Sequence, residues 1–504
     1  MDIIKTDTKE LFRKYTDAET FGRIRDCDTV SEMWLDCVKS FADNTAIVDN
    51  GTSYSFAQLE KDAADFRGAV KADSAIRVGI YAANSYDFVK AYLAVVTLGY
   101  TAVVLPAQLD AMTVFGCCMK FGINKLVYQP ELRDNTAIIE AKRPDIELIG
   151  IDTKSGKSES AVITSGETPC VIMFTGGTTG RSKGALLNNA AVMQGTVNGC
   201  YGYKDVFNQR YLLVLPLSHV FGLIRNLMTS LYTGSAMYIC RNNKDMFKDI
   251  AVFRPTIMVM VPALAEMAMT LSKKFGKNML GDDLKSIICG AATVPPYLVS
   301  EYNKMGIALL GGYGLTESAN LVSGNPESLA KPESVGIPYP NQELRIVNGE
   351  LWLKGKNMMD GYIGEEEDAY EDGWFKTGDL VKIDDDGFLY ITGRIKEIII
   401  LSNGENVSPA EVEAKFNALD VIMDSQVFED VNENGTHILA LEVVPRATEI
   451  AKLGLENPGE YITKELEKVN ASLLPYQRVS KITIRDKDFE RTPSMKIVRY
   501  KKCN

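Results

Sequence analysis

The sequence has few of the residues that build transition-metal sites. It contains two histidines in 504 residues, His219 and His437, so a His-rich metal site is excluded. Its nine cysteines show no CxxC spacing, and several lie within apolar runs, which favours reduced core thiols over metal ligands or disulfides. The chemistry therefore has to come from other residue types.

Long hydrophobic runs and a surplus of positive charge are also lacking. No stretch of about 18 uncharged apolar residues occurs, and residues 1–15 carry charges where a signal peptide needs an apolar core. With a formal net charge of -11, the chain has no basic surplus to attract nucleic acid. We expect a cytoplasmic protein without integral membrane association and without a nucleic-acid partner.

What is present is an ordinary globular composition, 46% hydrophobic and 24% charged, in a chain long enough for two or more domains. Short apolar stretches alternate with amphipathic ones from about residue 75 to 345. Residues 77–81 precede a helical pattern at 86–98, and residues 256–261 precede another at 263–271. This alternation predicts an α/β fold of βα units around a parallel sheet.

The pattern changes after Glu350 to shorter strands with turn signals, such as the DDDG turn at 384–387. We predict a β-rich subdomain there. Beyond Arg394 the chain has strand patterns at 437–444 and 479–484 and a helical pattern at 461–473, enough for a small α+β domain. The predicted division is a large domain at 1–394 and a small, mobile C-terminal domain at 395–504.

A loop rich in glycine and hydroxyl residues, TGGTTGRSKG at 175–184, directly follows a predicted buried strand at 171–174. Glycines let backbone N–H groups turn toward an anion, hydroxyls add donors, and Lys183 supplies positive charge. The loop lacks the Ser or Thr that follows the lysine in a Walker A motif. A bare loop of this composition is often only a surface turn, but its position after a buried strand favours polyphosphate binding.

This loop resembles the phosphate loop of the adenylate-forming superfamily, which includes acyl- and aryl-CoA synthetases, luciferases and peptide-synthetase adenylation domains. Further matching segments follow in order along residues 170–500: YGLTE at 313–317, WFKTGD at 374–379, Gly393-Arg394 and RTPSMK at 491–496. The resemblance implies ATP and Mg²⁺ as cofactors and a small-molecule carboxylic acid as substrate.

By the same resemblance, Tyr313 contacts adenine, Thr316 contacts the α-phosphate, and Glu317 holds magnesium. Asp379 accepts hydrogen bonds from the ribose, and Arg394 also reaches the nucleotide. The implied cofactor-binding residues are Thr175, Gly176, Gly177, Thr178, Thr179, Gly180, Lys183, Gly312, Tyr313, Gly314, Asp379, Arg394 and Gly404. Gly404 lies in the segment that approaches a pantetheine arm, where this chain has Ser-Asn-Gly instead of the two glycines of many relatives.

The resemblance implies two special lysines. Lys496 is the catalytic cation for adenylation, because an ammonium between a carboxylate and the α-phosphate stabilises the transition state. Lys396 lies at the hinge about which the small domain rotates before the thiol attacks. Taken without the resemblance, both would be solvated surface residues.

The acid site is expected around PLSHVFG at 216–222, with His219 as the gate between acid and phosphates. No aspartate follows to hold an α-amino group, which argues against amino-acid substrates. The predicted pocket consists of His219, Phe221, Arg225, Gly290, Ala291 and Ala292. Arg225 falls on the same helical face as Phe221. It either binds a second polar or anionic group of the acid, or it faces solvent or a salt-bridge partner.

The predicted reaction is ATP-dependent activation of a fatty or other non-amino acid, followed by acyl transfer to coenzyme A. An apolar aliphatic acid is the first expectation, and an aromatic or dicarboxylic acid the second. Two alternatives stay open. The acceptor thiol can be the phosphopantetheine of an acyl- or peptidyl-carrier protein, or the chain can bind nucleotide without turnover.

Overall fold

The computed structural model describes residues 3–4, 8–74, 76–175, 183–365, 369–401, 405–431, 437–454, 457–491 and 497–499. The predicted βα alternation is confirmed within these ranges. Strand Arg77–Tyr81 leads into helix Tyr86–Thr97, and strand Ile257–Met260 leads into helix Pro262–Phe275. The fold is therefore α/β with parallel sheets, as the sequence predicts.

Two large sheets carry the core of the first 340 or so residues. In the larger, six adjacent strands are parallel and antiparallel strands complete both edges. Its nine strands within the described residues are, in spatial order, Ile337–Pro338, Ser323–Gly324, Ala308–Tyr313, Ser286–Cys289, Ile257–Met260, Arg210–Leu213, Ala236–Ile239, Thr45–Asp49 and Thr52–Ser55.

The second sheet combines five parallel strands with two antiparallel ones at one edge. Its strands in the described part of the chain are Gly361–Ile363, Gly184–Asn188, Pro169–Phe174, Thr101–Leu105, Arg77–Tyr81, Lys125–Tyr128 and Glu147–Gly150. The central parallel strands Thr101–Leu105 and Arg77–Tyr81 are buried on both faces, which explains their nearly continuous apolar sequences. The edge strand Gly361–Ile363 is important below because it comes from a distant part of the chain.

A third, antiparallel sheet forms the predicted β-rich subdomain. Its strands among the described residues are Ile3–Ile4, Gln342–Val347, Glu350–Gly355, Trp374–Ile383, Tyr370–Glu371 and Leu389–Arg394. Strands Trp374–Ile383 and Leu389–Arg394 form a hairpin around the DDDG turn at 384–387. Asp384 fixes this turn by accepting hydrogen bonds from the backbone N–H groups of Asp386 and Phe388 at 3.1 and 2.9 Å.

The helices cover these sheets with amphipathic faces. In Pro262–Phe275 the buried positions include Leu264, Ala265, Ala268 and Met269, which recur at helical spacing. Proline begins this helix, and Gly276 at φ +62° ends it. The other α-helices of the described residues are Thr8–Phe12, Ala18–Arg23, Val30–Phe41, Phe56–Val70, Ala111–Lys120, Ala137–Lys142, Asn189–Asn198, Thr229–Tyr232, Met246–Phe253, Pro296–Lys304, Pro409–Asn417, Ala447–Leu453 and Pro458–Ser472.

A separate hydrophobic cluster forms beyond residue 398. It packs the helices after Ser408 against the three-stranded sheet Ile422–Val431, His437–Pro445 and Lys481–Ile484, and a short ladder joins Ile399–Ile400 to Asn406–Val407. Among the described residues, the last buried member of the main cluster of the preceding chain is Leu389, and Tyr390 and Ile391 pack against it. The predicted boundary at residue 394 falls in the interval between the two clusters, and it stays a prediction.

Ion pairs and an aromatic contact join this C-terminal region to the preceding one. Arg446 donates to Glu266 at 3.0 Å, and its guanidinium lies 3.8 Å above the ring of Tyr297. Lys273 pairs with Glu449 at 3.3 Å. Among the described residues, no helix combines the length and the apolar composition needed to span a bilayer.

Candidate active site

The base of the phosphate loop is closed by one backbone hydrogen bond. Strand Pro169–Phe174 ends at the loop, and the N–H of Thr175 donates to the carbonyl of Lys183 at 2.9 Å. Strand Gly184–Asn188 then returns antiparallel to the first. The predicted phosphate contacts Gly176, Gly177, Thr178, Thr179 and Gly180 lie outside the described residues.

Lys183 lies against a residue from the distant edge strand Gly361–Ile363. That strand pairs with Gly184–Asn188, so Tyr362 is opposite Ala185. The ammonium of Lys183 is 4.8 Å from the centre of the Tyr362 ring, a cation–π contact. The hydroxyl of Tyr362 donates to Oε1 of Glu317 at 2.5 Å. The structure thus brings together the loop lysine and the predicted magnesium carboxylate.

Thr316 and Glu317 are positioned by a tight turn after strand Ala308–Tyr313. The turn, Thr316–Ser318, is a single 3₁₀ turn, and the carbonyl of Glu317 accepts from the N–H of Met359 at 2.8 Å. Gly314 is required by close packing, because a Cβ there would lie 1.1 Å from the carbonyl oxygen of Asn320. Gly312 also packs closely, opposite Gly324 in the next strand.

Tyr313, Asp379 and Arg394 form one hydrogen-bonded group. Asp379 and Arg394 are direct partners in the antiparallel hairpin, and Arg394 Nε donates to Oδ1 of Asp379 at 2.5 Å. The hydroxyl of Tyr313 donates to Oδ2 of the same carboxylate, also at 2.5 Å. Asp379 is 1% exposed. A carboxylate has about four acceptor positions, so Asp379 retains capacity for ribose hydroxyls.

The electrostatics keep Tyr313, Tyr362 and Arg394 in their hydrogen-bond donor states. Burial raises the pKa of the Tyr313 phenol, and the adjacent Asp379 carboxylate raises it further. Burial and Glu317 raise the pKa of Tyr362 in the same way. Burial lowers the pKa of Arg394, but Asp379 raises it by more, for a net upward shift. At neutral pH both phenols therefore remain hydrogen-bond donors, and Arg394 remains a cation.

The predicted acid side is built around His219 and Phe221. The N–H of Phe221 donates to Nδ1 of His219 at 3.3 Å, so a neutral imidazole carries its proton on Nε2. Gly290 brings Phe221 against the predicted pocket wall, because a Cβ on Gly290 would lie 3.3 Å from Phe221 Cζ. In that wall Ala291 has a φ of +68°, and Ala292 is exposed.

Arg225 lies in the helix Phe221–Met228, which is a π-helix rather than the expected α-helix. Gly222 allows the first turn of this helix to pack against the backbone of Pro216, since a Cβ at Gly222 would lie 2.2 Å from the carbonyl oxygen of Pro216. Arg225 is 0% exposed, with its guanidinium 5.2 Å from the centre of the Tyr203 ring. It therefore does not face solvent.

The three residues predicted for the mobile domain are only partly described. Lys396 is exposed in the short turn Ile395–Glu397. Lys496 and Gly404 lie outside the described residues. The described residues on either side of Lys496 contact the C-terminal core, because Arg491 pairs with Asp424 and Arg499 contacts Glu413 at 2.7 Å. The roles of these three residues stay predictions.

Sequence reasoning missed Tyr362 as part of this site. Its partners Lys183 and Glu317 are far from it in the chain, and only the pairing of strand Gly361–Ile363 with Gly184–Asn188 brings them together. A short Gly-Tyr-Ile strand carries no local signal for this role. Finding this residue requires knowledge of which strands pair in the sheet.

The fold and the placement of Lys183 near Glu317, and of Asp379 beside Arg394, agree with the resemblance to the adenylate-forming superfamily. The family model described as "AMP-binding enzyme" matches residues 35–363. The chain therefore belongs to the family of AMP-binding enzymes, and the predicted superfamily is confirmed.

Two curated relatives are named as CoA ligases. The chain is 32% identical over 359 residues to "4-coumarate--CoA ligase-like 6" of Arabidopsis thaliana, covering 65% of this chain and 61% of that protein. It is 27% identical over 448 residues to a "Long-chain-fatty-acid--CoA ligase" of Mycobacterium bovis, covering 77% of this chain and 71% of that one. The chain thus spans less than two thirds of the first relative's length. Both names belong to acid–thiol ligases, the enzyme class that the sequence predicts.

Among solved structures, the ATP-bound MatB of Rhodopseudomonas palustris superposes with a TM-score of 0.80. The superposition covers 93% of this chain and 97% of that chain, at 23% sequence identity. At this identity the likeness concerns the fold. It extends over both hydrophobic clusters described above.

Proposed function

We propose that this chain activates a non-amino carboxylic acid with ATP, releases pyrophosphate, and transfers the acyl group to the thiol of coenzyme A. The observation that carries the proposal is the contact of Lys183 and Glu317 with the two ends of Tyr362. A loop cation and a carboxylate held by one side chain suit a polyphosphate with its metal. The names of the two relatives support coenzyme A as acceptor over a carrier protein.

The described residues fit a nucleotide and a hard cation. Asp379 offers buried carboxylate oxygens to ribose hydroxyls, and Glu317 offers an oxygen ligand of the kind that Mg²⁺ prefers. When bound, Mg²⁺ would neutralise phosphate charge. Thr316 would donate its hydroxyl to the α-phosphate, and Lys183 would bind the phosphates that leave. Tyr313, oriented by its bond to Asp379, would contact the adenine.

On the acid side, the predicted pocket residues would hold the carboxylate. His219 would contact it through Nε2–H, beside the wall of Gly290, Ala291 and Ala292. Lys496 would supply the cation between the carboxylate oxygen and the α-phosphate during attack. The C-terminal region would then rotate about Lys396 and carry Lys496 away. The segment with Gly404 would approach the pantetheine arm of the thiol.

The test measures pyrophosphate exchange with a panel of acids, followed by thioester formation with coenzyme A, pantetheine and a phosphopantetheinylated carrier protein. We expect acid-dependent exchange and thioester formation with coenzyme A. Thioester on the carrier protein alone would favour the carrier-loading alternative. Nucleotide binding without exchange for any acid would overturn the proposal and identify a nucleotide-binding protein without turnover.

A further inference from the structure

Arg225 is a buried cation without a counter-charge in the part of the chain that the structure describes. It is 0% exposed, and none of its three guanidinium nitrogens makes a hydrogen bond of normal geometry among the described residues, although the hydroxyls of Tyr203 and Tyr211 lie near enough to interact with it. No described carboxylate lies within ion-pair distance of it. A guanidinium cannot escape this by losing its proton, since its pKa is above 12. A buried charge left in this state is costly.

The same fold treats another buried arginine differently. Arg67 is also 0% exposed, but it is surrounded by acceptors. Its Nε donates to the carbonyl of Glu159 at 2.7 Å, its Nη1 donates to Thr97 at 2.9 Å, and it pairs with Glu60. Each nitrogen of this buried guanidinium thus has an acceptor. The contrast favours a partner for Arg225 that the described part of the chain does not supply.

The groups around Arg225 are phenols, which do not neutralise it. Tyr203, Tyr211 and Tyr339 act on it electrostatically, and burial raises the pKa of Tyr211 and of Tyr339, so both are neutral at pH 7. The hydroxyl of Tyr211 is also buried without a partner among the described residues. A guanidinium fork and a phenolic O–H are together the donors that a carboxylate accepts.

The position of Arg225 connects it to the acid site. It lies one helical turn beyond Phe221, whose ring contacts the position of Gly290 in the predicted wall. Tyr203 and Tyr339 also line a small cavity beside Gly311, on the strand that leads to Tyr313. Because Arg225 shares its helix with Phe221, an acid held at His219 would meet Arg225 with its other end if it extends along this helix.

We propose that Arg225 binds a second carboxylate of the substrate, so that the acid this enzyme activates is a short dicarboxylic acid. This inference rests on the proposed function. One carboxylate is adenylated, and the other stays ionised on Arg225 and Tyr211 throughout both half-reactions. The expectation of an apolar aliphatic acid is thereby replaced, because an apolar end would leave the buried guanidinium unpaired.

The experiment compares acids matched in length: succinate, glutarate and adipate against butanoate, pentanoate and hexanoate. We measure kcat/KM for pyrophosphate exchange, and binding of each acid to the nucleotide-free enzyme by thermal shift. The wild type should favour the best diacid over its monoacid by about tenfold or more. Arg225→Met should remove that preference and improve the monoacid. Arg225→Lys, which keeps the charge without the fork, should be intermediate.

A matched control is Arg254→Met, which removes an exposed arginine paired with Asp283 far along the chain from these residues. It should leave the ratio of diacid to monoacid unchanged. The melting temperature of Arg225→Met without ligand provides a second measurement. Loss of an uncompensated buried charge should keep it equal or raise it.

The outcomes separate this inference from the proposed function. Exchange with monoacids and none with diacids would overturn the role of Arg225 and leave the ligase reaction intact. No exchange with any acid would overturn the proposed function itself. If Arg225→Met unfolds, the wild-type ratio and the wild-type thermal shifts decide, and equal values for the two acid series would refute the inference.

Discussion

The hydroxyl of Tyr362 donates to the carboxylate of Glu317 at 2.5 Å while the ammonium of Lys183 lies 4.8 Å from the centre of the same ring. One side chain thus orients a carboxylate and contacts a cation of the phosphate loop. Tyr362 is a positioning residue in the proposed reaction. Its ring and its hydroxyl can be tested separately by a single substitution.

Tyr362→Phe should keep the cation–π contact and remove the hydrogen bond to Glu317. Since hydrogen bonds to charged groups contribute about 1.5–3 kcal/mol, we expect kcat for pyrophosphate exchange to fall about tenfold or more. The apparent affinity for Mg²⁺ should fall as well. Tyr238→Phe is the control, because it removes a similar phenol–carboxylate bond, to Asp249 at 3.1 Å, remote from the site. Unchanged Mg²⁺ dependence in Tyr362→Phe would contradict this role.

Asp379→Asn should weaken nucleotide binding selectively. The amide cannot pair with Arg394 as the carboxylate does, and it offers fewer acceptor positions for the ribose. We expect KM for ATP to rise about tenfold while KM for the acid stays the same. Asp430→Asn, which removes an exposed ion pair with Lys481, should change neither constant. A rise confined to the KM of the acid would refute the assignment.

Gly314→Ala should destabilise the protein strongly, because its Cβ would lie 1.1 Å from the carbonyl oxygen of Asn320. We expect a loss of about 3 kcal/mol or more in the free energy of unfolding, measured by chemical denaturation. Gly116→Ala is the control. Gly116 has open space in the helix Ala111–Lys120, so alanine there should be neutral or stabilise by up to about 1 kcal/mol. Equal effects of the two substitutions would show that the close packing at Gly314 is not limiting.

Asp384 should stabilise the hairpin in a pH-dependent manner. Burial opposes its ionisation, but the ammonium of Lys331 and the N–H of Phe388 outweigh this, and the pKa of Asp384 falls from 3.8 to about 2. A carboxyl whose pKa is lower in the folded state stabilises above its unfolded value and loses that effect as the pH falls toward the folded one. Asp384→Asn should therefore lower Tm at pH 7, and the difference should shrink between about pH 4 and pH 2.

The control for this titration is Asp385→Asn, which removes the same charge at the neighbouring, exposed position. Its Tm difference from the wild type should stay small across the pH range. A Tm difference for Asp384→Asn that is as large at pH 2 as at pH 7 would refute the ion-pair explanation.

Lys496→Ala should abolish adenylation while chemically prepared acyl-adenylate still transfers its acyl group to coenzyme A. Removal of a charge that stabilises the transition state typically costs about 100-fold or more in kcat. Lys487→Ala, at an exposed position earlier in the same segment, should affect neither step. Equal loss of both half-reactions in Lys496→Ala would refute the division of labour.

Much of the fold could be predicted from local patterns. The buried strand before the phosphate loop, the hairpin at Asp384 and the helix beginning at Pro262 all have signals within a few residues. Asp379 and Arg394 were also predicted as site residues, and the hairpin register makes them direct partners. In these cases the contacts that define the structure lie near each other in the chain.

Other features depended on contacts that no local pattern contains. The role of Tyr362 results from pairing between strands more than 170 residues apart in the chain. The state of Arg225 depends on which acceptors the rest of the fold provides, and spacing along one helix cannot indicate their absence. Sequence periodicity likewise did not distinguish the π-helix Phe221–Met228 from an α-helix.

The ion pairs of Arg491 with Asp424 and of Arg499 with Glu413 attach the chain to the C-terminal core on both sides of Lys496. Arg499 also contacts Glu397, the residue after the proposed hinge lysine, at 3.1 Å. In the proposed rotation about Lys396, Lys496 would therefore move together with the C-terminal region. The contacts of Arg446 with Glu266 and of Lys273 with Glu449 would have to break for that movement, so the rate at which they open would limit how often the domain changes position.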